Sequence, residues 1–317
     1  MKKKYICWVC VDALKIGTWK QAEALASKWL GIYEKKPIQL PVWCRWMPSK
    51  VFIILPEFLK NLAIKNLKQP LPDVIVAAGR QAMLVALALR HKVKTIVLMD
   101  PGISSSYFDA VVAPVHDQLE GKNVICTQGA IHGIQPQELI FPEYLKKYSS
   151  PRVGVLLGGD SIHGVYEESL AIKMANDLKA FANKKSDLGK INLIITPSRR
   201  TPLKWLKIFE RNLEGASYWI WDQKSENPYP SLLKGVDAIV VCEDSISMAS
   251  EACVMGKPVL IYPTGIAKPK FKRFYQQLFA KRYAQPFTVQ AKLSRTSTLN
   301  ELDRVIEQLE KMRIFPD

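Results

Sequence analysis

Short β-branched runs alternate with stretches of helical period along the first half of the chain: KYICWVCV, TWKQAEALASKWL, DVIVAA, RQAMLVALALRH and TIVLM. A continuous apolar run followed by an amphipathic helix is the pattern of a parallel sheet covered on both faces. DAVVAP and NVICT add two strands, after which FPEYLKKYSSP carries turn residues and charge without a period. The pattern then starts afresh with RVGVLLGG, a helix over 165–183, INLIITP, a helix over 203–212, ASYWIW, DAIVVC, a helix over 245–255 and PVLIYP. The expected fold is α/β, with two Rossmann-like domains facing a cleft. The expected domains are 1–148 and 149–297, with a linker at 146–151. The closing TSTLNELDRVIEQLEKMRIF reads as an amphipathic helix over 298–317, capped by Ser297 or Thr298 and returning to the first domain.

Length supports two domains: 317 residues at roughly 150 per domain. An apolar fraction of 48% gives each a core and excludes a disordered or collagen-like chain. Lys and Arg number 45 against 29 acidic residues, a net charge of +16 that points to an anionic partner. Nucleic acid, nucleotide phosphate and anionic lipid all satisfy it. No apolar run approaches the roughly 18 residues of a membrane span. Lys2, Lys3 and Lys4 before an apolar stretch mimic a signal peptide, but Asp12 interrupts it and no cleavage site follows, so the expectation is a cytoplasmic protein. Peripheral attachment to the inner face of the cytoplasmic membrane is compatible with the charge. The six scattered cysteines read as free thiols. Cys7 and Cys10 form a CxxC, but a strand of period two turns them to opposite faces, which suits packing rather than metal.

The loops after strands carry the candidate chemistry, because ligands of open α/β sheets sit beyond the strands' carboxyl ends. GGDSIHG at 158–164 offers Gly158 and Gly159 for close backbone approach, with Ser161 and His163 beside a helix start that favours anions. A Gly-Gly after a strand is equally an ordinary tight turn. SRRTP at 198–202 places Arg199 and Arg200 between capping candidates Ser198 and Thr201, and paired guanidinium forks suit phosphate oxygens. In ENPYP, Asn227 fits a turn, while Tyr229 fits either a packing anchor or a ring against a base. CEDSISMASEACVMGKPV opens with Asp244 and Ser245, and Ser247 and Glu251 share a helical face next to Met248. A carboxylate there suits ribose hydroxyls, and it equally complements the helix dipole.

Together with Gly17, Gln21 and Leu25, GRQ at 79–81, DP at 100–101, FDAVVAPVHD at 108–117, TQGAIHG at 127–133, NPYPSLLKGVDAIVVCEDSISMASEA and GKPV, these strings span most of the chain. In them the chain resembles the bacterial members of the mitochondrial-fission ELM-type family, which itself resembles GT-B glycosyltransferases. The resemblance implies a GT-B-like fold with a nucleotide-sugar held by the second domain at 158–163, 198–201, 227–229 and 244–251. It implies no cofactor and no metal, the nucleotide-sugar being a substrate. The loop DALKIGTWKQ departs from a GT-B acceptor loop in having few glycines and no Gly-His pair, so no base stands out. Asp12, Asp100 and His132 are the first-domain catalytic candidates, with His163 in the second, and each also fits a structural role as turn former or cap.

Two basic segments interleave aromatics. Residues 43–68 combine Arg45, Lys50, Lys60, Lys65 and Lys68 with Trp43, Trp46, Phe52 and Phe58, as in an interfacial segment near anionic lipid or an ordinary core helix. Pro56 splits that segment into two pieces. Residues 268–282 hold six basic residues and no acid, among Phe271, Phe274, Tyr275 and Phe279. That mixture occurs in single-strand binders, but no nucleic-acid motif accompanies it, so nucleic acid is the disfavoured partner. The expected activity is a metal-independent glycosyltransferase passing sugar from a nucleotide-sugar to an acceptor such as a lipid-linked cell-envelope glycolipid. The alternatives are a nucleotide-sugar epimerase of the same fold and a non-catalytic membrane-associated adaptor.

Overall fold

A computed structural model describes residues 5–13, 16–67, 70–160, 164–184, 189–265 and 269–315. They form two compact units, Met1–Gly133 with Asn300–Asp317, and Ile134–Leu299.

The first unit runs β1 (Cys7–Asp12), α1 (Ile16–Leu30), β2 (Tyr33–Ile38), α2 (Val42–Arg45), α3 (Ser49–Ile53), α4 (Glu57–Ala63), β3 (Val74–Ala78), α5 (Arg80–Leu89), β4 (Lys94–Leu98), β5 (Ala110–Pro114) and β6 (Val124–Thr127). Its strands pair in parallel in the order β2-β1-β3-β4-β5-β6, with Cys7 in register with Tyr33 and Val74. Side-chain alternation along β1 feeds two cores. Cys7, Val9 and Val11 join Ala22, Leu25 and Ala26 of α1, while Trp8 and Cys10 join the apolar residues of α5. The two cysteines therefore face apart, and burial pushes the Cys7 thiol up to about 12.

Between β2 and β3 the chain makes three short helices rather than two pieces. Pro41, Pro48 and Pro56 each stand at an N-cap, where the fixed φ suits a helix start. Cys44, Phe52 and Ala63 enter the core from these helices. Most of their other apolar side chains remain outside it.

The second unit runs β7 (Arg152–Leu157), α6 (Glu168–Asn183), β8 (Asn192–Pro197), α7 (Leu203–Asn212), β9 (Ser217–Ile220), α8 (Tyr229–Gly235), β10 (Ala238–Cys242), α9 (Ile246–Cys253), β11 (Val259–Tyr262), α10 (Pro269–Ala280) and the two-residue β12 (Gln285–Pro286). The parallel order is β12-β11-β10-β7-β8-β9. Helices α6 and α7 cover one face; α8, α9 and α10 cover the other. Residues 134–148, read from the sequence as the end of the first domain, belong to this unit: Leu145 is fully buried with Leu232, Leu233 and Val236.

The final helix, α11 (Glu301–Lys311), packs on the first unit, with Leu302, Val305 and Leu309 against the α1 core. Glu301 accepts the Gln128 N–H at 3.0 Å and Lys28 pairs with Asp303. The helix starts later than 298: Asn300, not Ser297 or Thr298, stands at its N-cap, without a side-chain bond to the helix amides, and its Nδ2 donates to Asp303 Oδ2 at 2.7 Å.

Each sheet is built outward from its first strand in both directions, so the winding reverses between β1 and β3 in one unit and between β7 and β10 in the other. A crevice opens at such a switch point, beyond the strand ends.

Candidate functional site

At the switch point of the second unit the ends of β7, β8 and β10 bring together three strings that lie 40 or more positions apart. Asp244, just past β10, turns its carboxylate across to the β7 loop. Its Oδ2 accepts the Gly159 N–H at 3.3 Å and pairs with Arg200 Nη2 at 2.9 Å. The Asp244 side chain is 4% exposed, and its Oδ1 is buried without a hydrogen bond from the described residues. Arg200 Nη1 donates to the carbonyls of Gly159 and Asp160 at 3.1 and 3.2 Å. Ser198 Oγ donates to the Gly158 carbonyl at 3.2 Å, and the buried Thr201 hydroxyl bonds that same carbonyl. These bonds tie the three loops into one edge.

The glycines are explained by the same contacts. A Cβ on Gly158 would stand 1.8 Å from Asp244 Oδ1, and one on Gly159 would stand 2.1 Å from the Arg200 carbonyl oxygen. The space beside both glycines is taken by the protein's own Asp244 and Arg200, in keeping with the tight-turn reading of this Gly-Gly. Arg200 is likewise occupied as an internal tie, so the expected pair of free guanidinium forks reduces to one. Arg199 is exposed and makes no hydrogen bond or ion pair with the described residues.

Ser245 is the N-cap of α9, its hydroxyl accepting the Met248 N–H at 3.3 Å. The remaining amides of that first helical turn follow β10, on the loop that also carries Asp244. Further along α9, Glu251 accepts the hydroxyl of Tyr229 from the start of α8. Burial, then the Glu251 charge, holds the Tyr229 phenol well above its ordinary value, so it remains a neutral donor. Tyr229 packs with the α8–α9 core, and Asn227 accepts its N–H at 3.1 Å. Asn227 is thus a turn former, and Tyr229 a packing anchor. Ser247 and Met248 are half-buried on α9. Ser161 and His163 lie outside the described residues.

Two buried phenols lie near Asp244; sequence reasoning named Tyr275 only within the basic-aromatic segment and did not single out Tyr166. Tyr166 and Tyr275 are buried, and burial, then the charges of neighbours that include Asp244, raises both phenols. Tyr275 and Phe274 are core residues of α10, so these rings present no stacking platform.

The first unit repeats the local device at its own switch point. Asp12, at the end of β1, reaches across to the start of α5, where its Oδ1 accepts the N–H groups of Gln81 and Ala82 at 2.9 and 3.1 Å. Gly79, at φ 98°, sits where a Cβ would meet the Asp12 carboxyl carbon at 2.9 Å. The structure therefore shows Asp12 as the cap of α5. Asp100 accepts the Gly102 N–H at 2.8 Å, in a turn that follows Met99 at φ 76°. His132 is half-buried in the segment after β6. Two cavities flank α5. One of about 450 Å³ is lined by Asp12, Arg45, Trp46 and Arg80; the other, of about 520 Å³, by Lys50, Arg80, Met83 and Asp100. No group of three or more His, Cys, Asp or Glu among the described residues is arranged to hold a metal ion, and no helix among them is long and apolar enough to cross a membrane.

Two parallel six-stranded Rossmann-like units, each with its loops gathered at a switch point, define the GT-B-like fold. The MurG structure from Acinetobacter baumannii superposes with a TM-score of 0.54 at 13% identity, covering 97% of this chain and 91% of that one. A putative UDP-N-acetylglucosamine 2-epimerase from Listeria monocytogenes gives 0.55 at 12% identity, covering 97% and 90%. At such identities the likeness is one of fold. Residues 16–312 match the family described as mitochondrial fission ELM1, and the chain belongs to that family. An uncharacterized protein of Rickettsia prowazekii (strain Madrid E) is 28% identical over 325 aligned positions, covering 88% of this chain and 90% of its own.

Proposed function

We propose that the protein is a glycosyltransferase that takes a sugar from a nucleotide-sugar bound at the switch point of the second unit. The observation that carries this reading is the second unit's edge itself: loops locked together by Asp244 and Arg200, an open helix start at α9, and one uncommitted guanidinium, Arg199. The chemical demand of sugar transfer is a developing oxocarbenium at the sugar and a negative charge on the departing phosphate. Arg199 and the amides of the first turn of α9 meet the second demand without a metal. Glu251 would take the ribose hydroxyls, with Tyr229 holding its carboxylate in place. Folds of this kind are shared by glycosyltransferases and by 2-epimerases, and the acceptor decides between transfer and epimerisation.

The test is thermal stabilisation by a panel of nucleoside diphosphates and nucleotide-sugars, in wild type, Arg199→Ala and Glu251→Ala. A ligand at 100 times its Kd adds about 2.7 kcal/mol. The expected result is a shift with one base that both variants lose while their unliganded melting stays close to wild type. Product analysis with the identified donor then separates the reactions: a changed sugar without any acceptor marks an epimerase. A folded protein that responds to no compound overturns the nucleotide reading in favour of a non-catalytic adaptor.

A further inference from the structure

The three proline-started helices of the first unit turn an unusual amount of apolar surface outward. Among the described residues, seven of the fifteen exposed large apolar side chains fall within positions 42–62, a concentration in one segment rather than the scatter normal for a surface. Ile54, Trp46 and Phe58 are 79%, 77% and 68% exposed, with Trp43 and Leu62 beside them in sequence. Each helix is anchored from beneath by Cys44, Phe52 or Ala63, so the segment is held and its outer side chains are not a frayed piece of core. Phe58 and Leu62 are four apart on α4 and share a face.

Charge accompanies the apolar face with one sign. Between 42 and 67 the basic residues are Arg45, Lys50, Lys60 and Lys65, and the one acid, Glu57, is paired with Lys60 at 3.0 Å. Lys50 and Lys65 are exposed. Behind the face, Arg80 lies with its guanidinium 5.7 Å from the Trp46 ring centroid and donates to the Arg45 carbonyl. It lines both of the cavities beside α5, with Arg45 in one and Lys50 in the other. An apolar surface fringed by exposed lysines, with two cavities at its margin that each hold two basic side chains against one carboxylate, complements a layer that is apolar within and anionic at its surface. A second copy of this face would set lysine against lysine.

We propose that α2, α3 and α4 form a docking surface for an anionic phospholipid bilayer: Trp46, Ile54 and Phe58 enter the headgroup layer, Lys50 and Lys65 lie against it, and Arg80 with Arg45 receives a lipid phosphate. The proposal rests on the first unit alone and stands independently of the nucleotide reading.

The experiment is co-sedimentation of the full chain with vesicles of phosphatidylcholine, with and without phosphatidylglycerol, at low and high salt. Variants are Trp46→Ser with Phe58→Ser, Lys50→Glu with Lys65→Glu, and Leu203→Ser as an exposed apolar control in the second unit. Wild type and control bind the anionic vesicles about tenfold more than neutral ones, and each double variant loses about tenfold. The lysine-dependent part fades at high salt. The exposed positions chosen leave the fold intact, which unchanged melting confirms. Absence of wild-type binding overturns the proposal, as does equal binding to both vesicle types or an equal loss in the Leu203 control. So does a wild-type dimer dissociated by the Trp46 and Phe58 substitutions, which would assign the face to a second copy.

Discussion

Replacing Gly158 by alanine tests whether this glycine serves the protein or a ligand. The new methyl carbon would stand 1.8 Å from Asp244 Oδ1 and 2.4 Å from Cγ, where ordinary contact begins near 3.4 Å. The carboxylate would have to withdraw by about 1.5 Å to reach normal van der Waals separation. That exceeds what the 2.9 Å bond to Arg200 and the 3.3 Å bond from the Gly159 N–H can follow. Overpacking costs about 1–3 kcal/mol, and a lost hydrogen bond to a charged group about 1.5–3 kcal/mol. With the two effects partly overlapping, the expected loss is about 3 kcal/mol. Urea denaturation of wild type, Gly158→Ala, Asp244→Ala and the double variant measures it. Because the clash needs both side chains, the double variant is expected to be more stable than the sum of singles predicts, by about 1 kcal/mol or more. A Gly158→Ala protein within about 0.5 kcal/mol of wild type, or strict additivity, would refute the packing account and return the glycine to a ligand role.

Three further outcomes are expected. Asp12→Ala removes the acceptor for two α5 amides and should cost about 1–2 kcal/mol in thermal or urea melts; no loss would mean that water caps α5 equally well. Lys257 donates to the carbonyls of Leu233, Lys234 and Val236, and burial lowers its pKa to about 8. The unfolded chain therefore binds the proton more tightly between pH 8 and 10.5, so this group's contribution to stability rises with pH across that window. Lys257→Met should flatten the difference between melts at its two ends, and an unchanged slope would reject the assignment. With Cys7, Cys10, Cys44, Cys242 and Cys253 buried, a thiol reagent should label Cys126 fastest in the native protein, with the rest following only on unfolding; rapid native labelling of Cys7 or Cys253, both raised to about 12, would contradict that burial.

The strands were legible where both faces are buried, because an apolar run such as AIVVC or VIVAA has no other comfortable setting. β2 was not. Its Glu34, Lys35, Lys36 and Pro37 suit an edge, and Lys36 earns its place through the Trp8 ring, 4.5 Å away, which no local window reveals. The same limit governs the site. That 158–159, 198–201 and 244–245 would meet followed from their places after strands. What each residue does there did not follow, because Arg200 finds Asp244 across 44 positions and Asp244 finds Gly159 across 85. In the basic-aromatic string at 268–282, composition could not say which side chains face out; helical period sends Phe274 and Tyr275 inward and leaves Lys272 and Arg273 outside. Lys68 and Lys268 lie outside the described residues.

The carboxylate that bridges each winding reversal bears on how the molecule would meet a ligand in time as well as in space. Loops at strand ends ordinarily wander, and a ligand must collect them, which slows capture and weakens the complex. Here Asp12 and Asp244 have already gathered their loops during folding, Asp12 taking two backbone amides from the neighbouring strand's loop and Asp244 one. The amide hydrogens of Gln81, Ala82 and Gly159 should accordingly exchange slowly in the empty protein and gain little protection when the crevice fills. Recognition at such an edge is a matter of fit to a surface already set, and cutting either carboxylate would convert rigid capture into folding upon binding.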